Sequence, residues 1–279
     1  MIDRESSSVL VRVWLLGTFR AERRNNDGNW EAIDKSAWDK NYARQLFVRL
    51  LCAINRRAAR SDIIDDLWSE RPLQLAEKYL NNASSRLASI LGHEHLLQSF
   101  GPHGSGGYGL AGQERLWTDI DACECLLQEV ERRGRTCSDA MLLLEQASQY
   151  FERGAMLEGE SGQWCLAHRT EKEAAMRCCL IWLAEGYEAQ GMLWHARKQY
   201  RTLLALNPFD EDILCRLLAL LHRHGMIHEA HDLYEETKRR FMEERLSLTP
   251  ATKKLAEKFT TEALSPDLYL APPLALQSA

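Results

Sequence analysis

Lys78, Asn81, Asn82, Ser85 and Arg86 fall within nine residues, at spacings that place them on one side of a helix. At 100° per residue, Ala76, Leu80, Ala83, Leu87, Ile90 and Leu91 form the opposite, apolar arc, with Arg86 on the flank. The polar side is rich in amides and holds few cations. An asparagine amide can donate to adenine N7 and accept from its N6 amine, so Asn81 and Asn82 suit A·T pairs, while Lys78 and Arg86 suit phosphate or a single guanine. Arg60 and Ser61 open a short helix just upstream, where backbone N–H groups and a cation can meet a phosphate. His103 and Tyr108 lie in or beside the glycine-rich segment "GPHGSGGYG", which has the pliancy to reach an adjoining groove. A polar helix face with no further context is ordinarily just solvated.

Other chemistries are weaker. "HRHGMIHEAH" at 222–231 holds four histidines, but His228-Glu-Ala-His231 has the spacing HExH, and a turn at Gly225 separates it from His224. Histidines on the surface or groove of a helical repeat are the simpler reading, so no metal site is expected. Gly104-Ser-Gly-Gly-Tyr-Gly109 matches GxGxxG, yet no helical face starts at its last glycine, as a dinucleotide site needs. There is no GxxxxGK[ST] loop and no GxSxG elbow. The eight cysteines form no CxxC pair and fall mostly on apolar faces, as buried reduced thiols do. No catalytic residue and no cofactor is expected.

The elements that must position these residues change rhythm along the chain. Apolar residues make up 45% and charged residues 27% of the 279, an ordinary globular composition. Net charge is −5, but residues 1–116 hold 16 Lys+Arg against 14 Asp+Glu (+2) and the remainder 19 against 26 (−7). A mildly basic first half permits a nucleic-acid partner. Residues 9–33 read as strands with a hairpin turn at "NNDGNW". A helix is expected over Asp39–Asn55, with Tyr42, Leu46, Phe47, Leu50, Leu51 and Ile54 on one face. Ser61 is the expected N-cap of a helix Asp62–Trp68, Pro72 ends it, and residues 75–91 form a third helix. A glycine-tipped hairpin comes next, at 95–112.

From about Asp119 the pattern is helical. "GMLWHARKQY" at 191–200 aligns with "GMIHEAHDLY" at 225–234, an offset of 34 residues that resembles a tetratricopeptide repeat. Three segments are expected: a strand-and-helix domain at 1–115 that carries the polar helix face, a helical domain at 116–262 and a disordered Pro-rich tail at 263–279. No apolar run approaches the roughly 18 residues of a membrane span, and the N-terminus lacks signal-peptide order. A cytoplasmic, nucleoid-associated protein is expected, with no membrane partner.

The order of strands, helix, turn, short helix, proline stop, long helix and glycine-tipped hairpin resembles a winged helix-turn-helix of the kind found in response-regulator effector domains. "ARQLFVRLLCAINRRAARSDIIDDLWSE", "AEKYLNNASSRLASIL" and "GGYGL" are similar to the Streptomyces antibiotic regulatory protein family. "YFERGAMLEGESGQWCLAHRTEKE", the repeats and "LSLTPATKKLAEKF" resemble the bacterial transcriptional activator domain that comes after the winged helix there. The resemblance covers about residues 9–260 and implies a mainly α chain, an α+β winged helix before an all-α repeat domain. It also implies a non-enzymatic activator that binds direct repeats in double-stranded DNA as a dimer or as tandem protomers and contacts RNA polymerase. This chain departs from the family in the few arginines of its reader helix. The alternative is a repeat-based protein scaffold whose DNA-binding part is weakened.

Overall fold

A computed structural model describes residues 8–38, 42–102, 106–135, 139–160 and 162–261. The expected tail at 263–279 and His103 lie outside them. The chain divides into two compact units, residues 1–179 and 180–279.

The first unit opens with a sheet of order β3-β2-β1-β7. Its strands are β1 (Val11–Trp14), β2 (Arg20–Arg24), β3 (Trp30–Ala32) and β7 (Leu116–Thr118). β1 pairs antiparallel with β2 and parallel with β7. Val11 and Val13 are fully buried. The expected hairpin turn forms between β2 and β3. Asn25 Oδ1 accepts from the Asp27 and Asn29 N–H groups at 3.0 and 2.9 Å, and Gly28 supplies a φ of +80°.

A single turn of helix, α1 (Lys35–Trp38), precedes the three-helix core. That core is α2 (Ala43–Leu51), α3 (Arg60–Trp68) and α4 (Leu73–Leu91). α2 packs on α3, and Leu46, Phe47 and Leu50 of α2 and Ile63, Ile64 and Trp68 of α3 are all buried, Trp68 meeting Tyr42 and Tyr79 edge-on. Leu67 is half-buried. Two expectations are corrected here. Ile54 does not join the apolar face but is 85% exposed, because the helix stops at Leu51 and Asn55 and Arg56 turn the chain with φ of 52° and 55°. Ser61 does not cap α3. The helix begins two residues earlier, at Arg60, because β4 (Arg57–Ala59) pairs with β6 (Gly107–Leu110), and the Arg60 N–H donates to the Gly106 carbonyl at 3.3 Å. The hydroxyl of Ser61 bonds Asp62 instead. With β5 (Leu97–Phe100), these strands form the wing sheet, order β4-β6-β5.

β7 runs straight into α5 (Asp119–Arg133), which Thr118 caps by accepting from the Asp121 N–H at 3.0 Å. Asp119 is fully buried, and its carboxylate accepts from the N–H groups of Leu15 and Leu16 at 2.8 and 3.1 Å. The Leu15 carbonyl accepts from Leu157 at 2.7 Å, and the Gly17 N–H donates to Ala155 at 2.9 Å. α6 (Ala140–Phe151) packs on α5, and α7 (Gln163–Ala189) comes after it. From α7, Arg169 donates to the carbonyls of Met156, Leu157 and Glu160, fixing the loop that meets β1. Glu160 in turn pairs with Arg44 of α2 at 2.7 Å. Buried Arg56 donates to the carbonyls of Ala111 (3.0 Å) and Leu116 (2.7 Å) and pairs with Asp121. The winged helix therefore shares its compact unit with α5, α6 and the first part of α7. The division between the two compact units falls inside α7.

The second unit holds α8 (Leu193–Leu206), α9 (Glu211–Arg223), α10 (Ile227–Glu243) and α11 (Pro250–Thr261). The 34-residue repeat is visible in its turns. Gly191 and Gly225 both have φ of +71°. The next amides reach back five residues, Met192 to the Tyr187 carbonyl (2.8 Å) and Met226 to that of Leu221 (2.9 Å). Ala196 and Ala230 are both buried, as are Tyr200 and Tyr234. α10 ends in the same motif, Leu246 N–H to Phe241 carbonyl at 2.7 Å, but with Arg245 at φ +58° in the glycine position.

Two of these features can be measured through stability. A side chain in the left-handed region costs about 1 kcal/mol or more, so Arg245→Gly should raise thermal stability and Gly225→Ala should lower it by a similar amount. Burial pushes the Asp119 carboxyl above its ordinary value of 3.8, outweighing its backbone hydrogen bonds. A raised folded pKa adds stability that is full below 3.8 and lost as pH rises through the folded value. Asp119→Asn removes that titration and sets an amide N–H₂ against one backbone N–H, a cost of about 1–3 kcal/mol. The stability gap between native and variant chains, read by urea unfolding, should narrow as pH rises. A gap that widens would contradict burial as the main cause.

Candidate nucleic-acid interface

α4 can start at Leu73 because Pro72 needs no N–H hydrogen bond and its φ of −55° suits the turn before a helix. Gly92 ends it at φ +71°, its N–H bonding the Ala88 carbonyl at 3.1 Å. The expected inward residues Ala76, Leu80, Ala83, Leu87, Ile90 and Leu91 are all buried, and Ser84 is buried with them. Lys78, Asn81, Asn82, Ser85 and Arg86 are all exposed on the other side. Among the described residues, Lys78 and Arg86 form no salt bridge, so both cations remain available to an anion.

Three predicted residues from three elements meet at one point. Arg60, at the first turn of α3, donates through Nη2 to Asn81 Oδ1 of α4 at 2.9 Å and through Nη1 to the Tyr108 hydroxyl of β6 at 3.1 Å. Its guanidinium carbon also lies 5.6 Å from the centre of the Tyr108 ring. The Tyr108 and Ser84 hydroxyls are 3.1 Å apart, and Ser84 donates to the Asn81 carbonyl at 3.0 Å. The short helix α3, the long helix α4 and the wing are thus tied by one polar cluster. Ser61 is exposed but bonds Asp62, outside this cluster. His103 lies outside the described residues.

The wing's outer face holds a residue that the sequence reading missed. Strand alternation in β4 sends Arg57 to the side opposite Ala58, whose partner in register is Tyr108. There Arg57 is exposed and its guanidinium stacks on Phe100, 4.5 Å from the ring centre. Gly107 and Gly109 make this possible. A Cβ on Gly107 would stand 2.6 Å from the Phe100 ring, and one on Gly109 2.9 Å from the Arg57 side chain. The "NRRAAR" run held the clue, because a strand there separates Arg56, which is buried, from Arg57. Burial pushes the thiols of Cys52 and Cys123 up to about 12, so these two stay protonated, while Cys125 and Cys178 are exposed, not buried as the sequence suggested. Among the described residues no His/Cys/Asp/Glu group could hold a metal ion, and no helix is long and apolar enough to cross a membrane.

Comparison with known proteins agrees with this architecture. The chain is similar to the regulatory protein AfsR of Streptomyces coelicolor, 26% identical over 88% of this chain and 24% of that protein. AfsR of Streptomyces griseus is 27% identical over 86% of this chain and 23% of its own length. The chain therefore spans about a quarter of these relatives. Among solved structures, Mycobacterium tuberculosis EmbR, determined in complex with a low-affinity phosphopeptide, has the same fold. The TM-score is 0.70 at 19% identity, covering 90% of this chain and 65% of that one. Residues 118–259, the helices that begin at the Asp119 junction, match the family model of the bacterial transcriptional activator domain, and the chain belongs to that family.

Proposed function

We propose that this chain is a sequence-specific DNA-binding transcriptional regulator that acts as an activator. The observation that supports this best is the exposed polar face of α4, joined through Arg60 to the wing, within a helix-turn-helix. In this reading α4 enters the major groove, Asn81, Asn82 and Ser85 face base edges, and Lys78, Arg86 and Arg57 hold phosphates. Arg60 orients its neighbours. Membership of the activator-domain family and likeness to regulatory proteins favour transcription over an unrelated use of the same fold. The protein works without catalysis, as a dimer or tandem protomers on direct repeats. Two linked sites raise effective concentration and offset the small number of cations on α4. RNA polymerase is the partner through which it activates.

A second reading, a scaffold that holds other proteins, draws on the second unit. Trp194 at the start of α8 is 61% exposed, with Lys198 one turn further on, a pairing suited to a protein partner. A scaffold would bind partners without salt-dependent affinity for DNA.

The two readings separate by fluorescence anisotropy on duplex DNA from upstream of the genes neighbouring its own, titrated over a range of salt. A regulator loses affinity steeply as salt rises, through release of phosphate counterions. Lys78→Ala should weaken binding on all sequences alike and flatten the log–log salt slope by about 1. Binding that is absent, or indifferent to salt, would favour the scaffold.

A further inference from the structure

The geometry points to Asn81 as a residue that reads hydrogen-bond acceptors in the major groove, guanine foremost, because Arg60 holds its amide in one orientation. This rests on the DNA-binding reading and goes beyond it, for a free asparagine would favour adenine. Only the oxygen of an asparagine amide can accept from a guanidinium. The Arg60 Nη2 to Asn81 Oδ1 bond, 2.9 Å, therefore decides which way the amide faces. The oxygen turns toward Arg60 and the wing, and the N–H₂ group turns away from them. Arg60 is itself fixed from its other nitrogen by the Tyr108 hydroxyl at 3.1 Å, and Tyr108 stands on β6 within 3.1 Å of the buried Ser84. Ser84 bonds the backbone of Asn81, closing the loop of contacts.

The chemical consequence comes from the base edges. Adenine asks an amide for two things, an acceptor for its N6 amine and a donor for N7. Arg60 occupies one of the two lone pairs of Oδ1 and turns the oxygen toward itself, so the N–H₂ donors are what Asn81 presents first to a base edge. Guanine presents two adjacent acceptors, O6 and N7, and thymine presents one, O4. Cytosine places an amine donor there and is opposed. Asn82, exposed beside it, forms no such bond among the described residues and keeps both halves of its amide for adenine. Two neighbouring asparagines on one face thus differ in what they read. Arg60 is a positioning residue in this scheme, and it sets specificity without touching a base.

The test is selection of binding sites from random duplexes with the native chain, Asn81→Ala, Arg60→Ala and Tyr108→Phe. Asn81→Ala identifies the position: there the native chain should select guanine over cytosine by on the order of tenfold or more, and the variant should lose that preference. Arg60→Ala frees the amide oxygen, and the preferred base at this one position should move from guanine to adenine. Tyr108→Phe keeps the ring but removes the hydroxyl that steadies Arg60, so it should shift the same position the same way by a smaller factor, in a chain whose fold is intact. Native selection of adenine there overturns the proposal. So does an Arg60→Ala chain that binds more weakly on every sequence while its base preference, like that of Tyr108→Phe, is unchanged, for Arg60 is then a phosphate anchor only. Failure of the native chain to enrich any sequence would instead overturn the DNA-binding reading itself.

Discussion

The backbone N–H groups of Leu15 and Leu16 lie at the end of β1, away from water, where the neighbouring strands no longer supply partners. Left unpaired, each would cost on the order of 1–3 kcal/mol. Asp119 supplies both acceptors from 104 residues further along the chain. The carboxylate is itself buried, which is costly, so its position is over-determined. β7 aligns it, Thr118 caps the helix on which it sits, and the Met156–Leu157 loop closes over the same stretch of β1. The rest of the first unit depends on that arrangement. α5 starts where Asp119 must be, and Arg56, which pairs with Asp121, fixes the turn between α2 and the wing.

From that turn the path to the interface is short. Arg56 is buried, and the next residue, Arg57, begins the strand that pairs with the wing and hands its last position to α3. Arg60 then stands between wing and reader helix and bonds to both. A chain of backbone and side-chain hydrogen bonds thus runs from the activator helices to the Asn81 amide on the exposed face of α4. It gives the first unit a way to hold α4 and the wing in fixed relation. The coupling is local at each step and needs no moving part.

Residue periodicity made some of this legible and long-range pairing hid the rest. The inward arc of α4 came directly from the helical repeat, because each buried position depends only on spacing. The 34-residue offset was equally readable, since glycine at a left-handed turn with a buried alanine five residues later is a local pattern. Ser61 misled because serine before an apolar run is an ordinary cap, whereas the start of α3 is set by pairing of Ala59 with Gly107 across the wing. Ile54 misled for a similar reason, the helix ending early to bring Arg56 inward. Asp119 looked like any acid in a first helical turn. Its role depends on two amides at the other end of the domain, and no local pattern encodes that. Likewise Asn81 and Asn82 are indistinguishable in sequence, and only the reach of Arg60 separates them.

If the Asp119 junction has this role, the winged helix and the first activator helices fold as one body. Native-state hydrogen exchange on the intact chain tests this most directly. The amides of Leu15 and Leu16, of Leu87 in α4, and of Leu126 and Leu144 in α5 and α6 should exchange through one shared opening, with a single free energy and a single dependence on denaturant. Exchange of the winged-helix amides through an opening that leaves α5 and α6 closed would contradict it.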